Sequence, residues 1–101
     1  MIDEFRTLRR PASARLTRKK SRFLAHAIPV DSEATANERL AEIRRRFHDA
    51  SHHCSAWRLR GAPEPVSHSD DDGEPAGSAG LPILQGLESQ DLLDVLSLIH
   101  I

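Results

Sequence analysis

The stretch "RGAPEPVSHSDDDGEPAGSAG", Arg60 to Gly80, holds one large apolar side chain, Val66. A run so rich in Gly, Pro, Asp and Ser reads as loop. Loops of about twenty residues are uncommon inside compact domains and usually carry function or lack order. The run also divides the chain, because whatever builds a core must lie before Arg60 or after Gly80. In a chain of 101 residues with 39% hydrophobic content, that leaves one domain with a modest core.

Before the loop, Ser13–Lys19 alternates weakly and Ser21–Ile28 alternates better. Phe23, Ala25 and Ala27 fall on one side of the second segment, with Leu24, His26 and Ile28 on the other. Two strands joined near Lys19-Lys20 are expected, the second ended by Pro29. Asp31 or Ser32 can cap a helix from Ser32 to His48, with Glu33 in its first turn. Ala36, Leu40, Ile43 and Phe47 make its apolar stripe. Arg44, Arg45 and Arg46 crowd its last turns, where cations suit the helix dipole. His52–Leu59 reads as a strand with Trp57 and Leu59 on one face and Cys54 and Ala56 on the other. After the loop, Leu81–Gln90 resumes helical spacing through Ile83, Leu84 and Leu87, with Pro82 tolerated in the first turn.

Charge is segregated along the chain. Residues 1–30 carry eight Lys/Arg against two acids, whereas residues 61–101 carry eight acids and no Lys or Arg. The two ends can neutralise each other in the fold, or the basic end can face an acidic partner. The lone Cys54 rules out an internal disulfide and fits a reducing cytoplasm. No apolar run reaches the length of a membrane span, and the first twenty residues lack a secretory apolar core.

Several chemistries compete for the acidic-glycine stretch. With Gly73 at the sixth position of an EF-hand, Asp70 and Asp72 fit, but His68 and Ala79 fall where essential acids belong. A looser magnesium site from Asp70, Asp71, Asp72 and Glu74 competes with simple turn formation. "GEPAGSAG" could offer backbone N–H groups and the Ser78 hydroxyl to an anion, yet it lacks both known nucleotide motifs. The alternative is that its glycines only supply unusual backbone angles. His48, His52, His53 and Cys54 lack zinc-site spacing. Cys54 sits mid-strand, where a thiol is usually buried and inert. The helix arginines suit phosphate contact or a solvated face. No cofactor motif and no DNA specificity is evident.

Three blocks, "KKSRFLAHAIPV", "DASHHCSAWRL" and "SDDDGEPAGSAGLPIL", together resemble the YigZ/IMPACT family over Ser13–Val95. Asp71, Asp72, Gly73, Glu74, Pro75, Gly77, Ala79, Gly80 and Pro82 fit its loop pattern. Ser78 replaces the usual threonine, and Leu81 a common lysine. The resemblance implies an α+β two-layer fold (α/β in the broad sense) like a ribosomal-protein and elongation-factor-G domain. That fold has a β-α-β unit and helices on one face of a mixed sheet. It further implies a cytoplasmic regulator of translation or stress response that binds a protein, ribosome or RNA. The alternative is a hydrolase, possibly metal-dependent, using Asp71, Asp72 and Glu74. Binding candidates are therefore the loop residues Asp71–Gly80 with Arg44, Arg45 and His53.

Residues 1–12 read as a ragged start and 13–95 as an incomplete family domain. "LSLIHI", Leu96–Ile101, is what CTG TCT CTT ATA CAC ATC encodes, which resembles a transposon-end adapter used in sequencing libraries. It is expected to be read-through. Sequencing the natural gene beyond the Val95 codon should reveal an Arg-Tyr-Phe-Gly-Gly strand, as the family pattern has. A genomic frame that encodes Leu96–Ile101 would overturn the read-through.

Overall fold

The computed structural model describes residues 6–18, 21–61 and 63–100, with backbone alone for 16–18 and 21–22. The expected joint at Lys19-Lys20, the first five residues of the expected ragged start, and Ile101 lie outside the described residues. Five strands and two helices follow in the order β1 (Ala12–Arg18), β2 (Ser21–Pro29), α1 (Glu33–Arg46), β3 (His53–Leu59), β4 (Val66–Asp70), α2 (Gly80–Ser89) and β5 (Val95–His100). The strands form one sheet in the order β1-β2-β5-β3-β4. All four pairings between these strands are antiparallel, and an isolated parallel bridge joins Arg6 to Leu92.

β2 and β3 each run antiparallel to β5 and so run parallel to each other with β5 between them. The β2-α1-β3 segment is thus a β-α-β crossover, and the α+β class stands as expected. Ser32 caps α1 by accepting the Thr35 N–H at 3.1 Å, and the expected apolar stripe faces the sheet.

The helices do not share a sheet face. Alternation along each strand sends successive side chains to opposite sides. Trp57 pairs with Leu96 and Ile28 pairs with Leu96 from the other side, so these three share one face. They pack with Ala36, Ile43 and Phe47 of the α1 region. Ala56 and Val95 point the opposite way, where Ile83, Leu84 and Leu87 of α2 cover them. The strand faces expected for β2 and β3 hold, and that parity forces the two helices apart.

The Arg60–Gly80 stretch is not all loop, because β4 occupies Val66–Asp70 and pairs with β3. β4 is an edge strand whose Val66, Ser67 and His68 are exposed. With neither face buried deeply, it has no apolar alternation to announce it. β5 is the central strand, and Leu96 and Leu98 are fully buried in it. Their alternation with Ser97 and Ile99 is strand-forming whatever its genetic origin.

Three imidazoles lie under the end of α1. His26 and His100 stack at 5.1 Å with their Nε2 atoms 3.0 Å apart, and Phe47 lies 4.4 Å from the His100 ring. The third ring, His53, stacks on His100 at 5.4 Å. Burial lowers the pKa of His26 and His100 below the ordinary 6.5; Arg46 adds to this at His26, and His26 and His53 add at His100, against a weaker opposing pull from Asp49. The unfolded chain therefore takes up protons first as pH falls. The stability contributed by the neutral pair is complete above about pH 6.5 and is lost as pH drops through the folded values. Thermal melts followed by circular dichroism should show a falling midpoint between pH 7.5 and pH 5, with a smaller slope for His26→Gln. A midpoint independent of pH over that range would contradict the packing of neutral rings.

Candidate functional site

The loop from Asp70 to Gly80 is built around one carboxylate. Asp71 Oδ1 accepts the backbone N–H groups of Ala79 at 3.1 Å and Gly80 at 2.7 Å, and Oδ2 accepts that of Gly77 at 2.9 Å. Ala79 is the N-cap of α2 and its own side chain caps nothing. Asp71 therefore caps the helix from eight residues upstream, meeting donors that the first turn leaves unpaired. The N–H groups of Gly77, Ala79 and Gly80 that "GEPAGSAG" could offer to an anion go to the chain's own Asp71. These three hydrogen bonds, led by Gly77, hold the Asp71 carboxyl below the usual carboxylate range.

The next aspartate fixes the loop to the sheet. Asp72 Oδ2 accepts the backbone N–H of His53 at 2.7 Å, and the Asp72 carbonyl accepts a hydrogen bond from His52 Nδ1 at 2.7 Å. That leaves His52 Nε2 facing Glu74 Oε1 at 3.5 Å. The Asp72 N–H donates to Asp70 Oδ1 at 2.9 Å. Arg44 reaches across from α1 to Asp70 at 3.4 Å and Asp72 at 3.7 Å. Asp72, Gly73 and Gly77 all have positive φ. At Gly80 a Cβ would meet the Asp70 backbone at 2.7–2.8 Å, so the start of α2 passes too close to β4 for any larger residue.

The sequence candidates divide as follows. Asp71, Asp72 and Gly80 shape the loop. Glu74, Pro75, Ser78 and Ala79 line an open, mainly apolar cleft of about 620 Å³, together with Phe23, Cys54 and Ile83. His53 joins the loop through its backbone N–H, and its own Nδ1 is buried without a partner among the described residues. Arg44 is ion-paired to the loop, whereas Arg45 stands exposed in the last turn of α1 and makes no ion pair among the described residues. Two residues weighed only as metal ligands, His52 and Asp70, contribute to the loop's architecture instead. His52 contacts Asp72 twenty residues away, and no local pattern marks such a pairing.

The chemistry available here is limited. The Cys54 thiol is buried at 3% exposure, and its Sγ donates to the Asp71 carbonyl at 3.3 Å. Burial pushes its pKa up, and Glu74, Asp72, Asp71 and Asp70 push it further. A thiol held protonated is a poor nucleophile. The Ser78 hydroxyl donates to the Pro75 carbonyl rather than to a side-chain base. Among the described residues, no group of three or more His, Cys, Asp or Glu is arranged to hold a metal ion.

Known proteins resemble this chain in sequence and fold. A family profile described as the Impact N-terminal domain matches residues 19–100. The chain is 31% identical over 99 residues to the IMPACT family member YvyE of Bacillus subtilis, covering 98% of this chain and 45% of that protein. It is 42% identical over 71 residues to the IMPACT family member YigZ of Escherichia coli, covering 68% and 34% respectively. A crystal structure of a hypothetical protein superposes with a TM-score of 0.86 at 32% identity, over 93% of this chain and 46% of that one. The two-domain translational regulator Yih1 superposes with a TM-score of 0.59 at 29% identity, over 99% and 39%. The chain spans less than half the length of each of these relatives.

Gly80→Ala should destabilise the chain by about 1–3 kcal/mol through overpacking against β4, read from urea unfolding. Asp71→Asn keeps the size but weakens the acceptor, and should speed amide exchange at Gly77, Ala79 and Gly80 above the exchange in β3. Unchanged protection at those three amides would remove Asp71 as the loop's anchor.

Proposed function

The chain belongs to the IMPACT family, and from that premise we propose that it is part of a cytoplasmic regulator of translation or stress response that works by binding a protein, ribosome or RNA. The observation that carries this reading is the state of the signature loop. Its best-placed carboxylate, Asp71, is occupied by three backbone N–H groups, which leaves little of it for proton transfer or metal ligation. Turnover needs a base within reach of a nucleophile, and the thiol beside the loop, Cys54 of β3, is buried with its pKa raised. The similarity to Yih1, described as a translational regulator, supports the cellular role. No helix among the described residues is long and apolar enough to cross a membrane.

The contact surfaces in this reading are the basic end of α1 and the loop it touches. Arg45, exposed and without an ion pair among the described residues, is a cation there open to a partner. Arg44 orients the loop through Asp70 and Asp72. Exposed ion pairs of this kind contribute roughly 0–1 kcal/mol to stability, so Arg44 can exchange a loop carboxylate for a partner's phosphate at small cost.

Co-sedimentation with ribosomes should weaken steeply as salt rises. Replacing both Arg44→Ala and Arg45→Ala should flatten that salt dependence, its slope falling by about one for every phosphate that the arginines neutralise. Affinity unchanged in the double variant removes the helix face. Calorimetric heat with magnesium, calcium or zinc that Asp72→Ala abolishes would replace binding with the metal-dependent hydrolase.

A further inference from the structure

We propose that the groove between the β1–β2 ribbon and α1 seats an extended acidic peptide segment of a protein partner. This rests on the reading that the chain acts by binding, and it names the partner's chemistry and a surface distinct from the loop.

Register creates the groove. Ser13 pairs with His26 and Arg15 with Leu24, so Ser13 and Arg15 lie on the sheet face that carries α1. α1 lies over the inner strands, packing on Trp57 and Leu96, while β1 is the outermost strand. The result is a trough of about 1030 Å³ walled by β1 and α1. Its floor carries the apolar Leu24, Ile28 and Phe47 with the His26 ring among them. Pro11 through Arg15 along its outer wall are exposed.

Charge selects the occupant. Three arginines line the trough, Arg15, Arg39 and Arg46, against one acid, Glu42, which is ion-paired to Arg39 at 3.2 Å. A segment that alternates carboxylates with aliphatic side chains would set its charges on that rim and its apolar groups on the floor. The extended form is favoured because the trough runs alongside β1 from Pro11 to Arg15. Single-stranded RNA fits less well, since bases need an open aromatic platform. Phe47 is already engaged by the Arg46 guanidinium at 5.4 Å and by the His26 and His100 rings at 5.6 and 4.4 Å.

The test is fluorescence anisotropy on the full 101-residue chain, with a labelled peptide of alternating Glu and Leu about eight residues long to match β1. A Lys-for-Glu version and an oligouridylate of equal length complete the set. The acidic peptide should bind and the basic one should not. Arg15→Glu and Arg46→Glu should each weaken it about tenfold or more, and Ser13→Trp should block the trough sterically, with fold checked by far-ultraviolet circular dichroism. Gln85→Ala, exposed on α2 across the sheet from the trough, should leave peptide affinity unchanged. The proposal is overturned by absent binding of the acidic peptide, by affinity that Arg15→Glu does not change, or by oligouridylate binding in its place. Ribosome co-sedimentation that persists while the acidic peptide fails to bind removes the groove alone. Peptide binding that persists while ribosome binding is absent removes only the ribosome form of the broader reading.

Discussion

Everything around the signature loop depends on the Asp71 carboxylate and the three amides it holds. Without it the first turn of α2 has no cap, because Ala79 supplies none. The same contacts bring the loop back over the end of β3, where the Asp71 carbonyl accepts from Cys54 and Asp72 holds the His53 amide. α2 in turn carries Leu87 onto Ala56 and Val95. One side chain thus links the fold of an otherwise polar segment to the second hydrophobic cluster. A half-buried run of acids here is a structural device, with a single carboxylate doing in three directions what a capping serine does in one.

This division of labour explains the family signature in physical terms. Gly73 and Gly77 take positive φ, and Gly80 passes within Cβ distance of Asp70. The aspartate between β4 and the turn is the acceptor those glycines are arranged to meet. Pro82, within the first turn of α2, has no N–H to satisfy. Glu74 remains at the mouth of the apolar cleft beside His52, which makes it the loop carboxylate least absorbed by architecture.

Much of the frame was legible in the residues. The α1 stripe of Ala36, Leu40, Ile43 and Phe47 and the two faces of β2 and β3 are short-range periodic signals, and they determine which side chains meet. β4 was not legible, because an edge strand with Val66 exposed at 52% carries no buried face to impose a pattern. Placing both helices on one face also failed, although the strand parities that separate them were already readable. The missing information was which strands become neighbours, and that is set by pairings across most of the chain. The role of Asp71 was hidden for a related reason. Three adjacent aspartates look alike in sequence, and only the turn at Gly73 to Gly80 distinguishes the one that faces inward from those that reach Arg44 and His53.

The order of strands in the sheet has a kinetic meaning. β1 with β2 and β3 with β4 are neighbours in sequence and can zip as two independent local hairpins. Each then waits with one open edge for β5, which follows both in sequence and lies between them in the sheet. The two halves have no direct strand pairing with each other, so the sheet closes in one late step when β5 inserts between them. Closure across such sequence distances is slow relative to hairpin formation. Until β5 inserts, the chain has two unpaired interior edges, the form most exposed to wrong pairing with a neighbour.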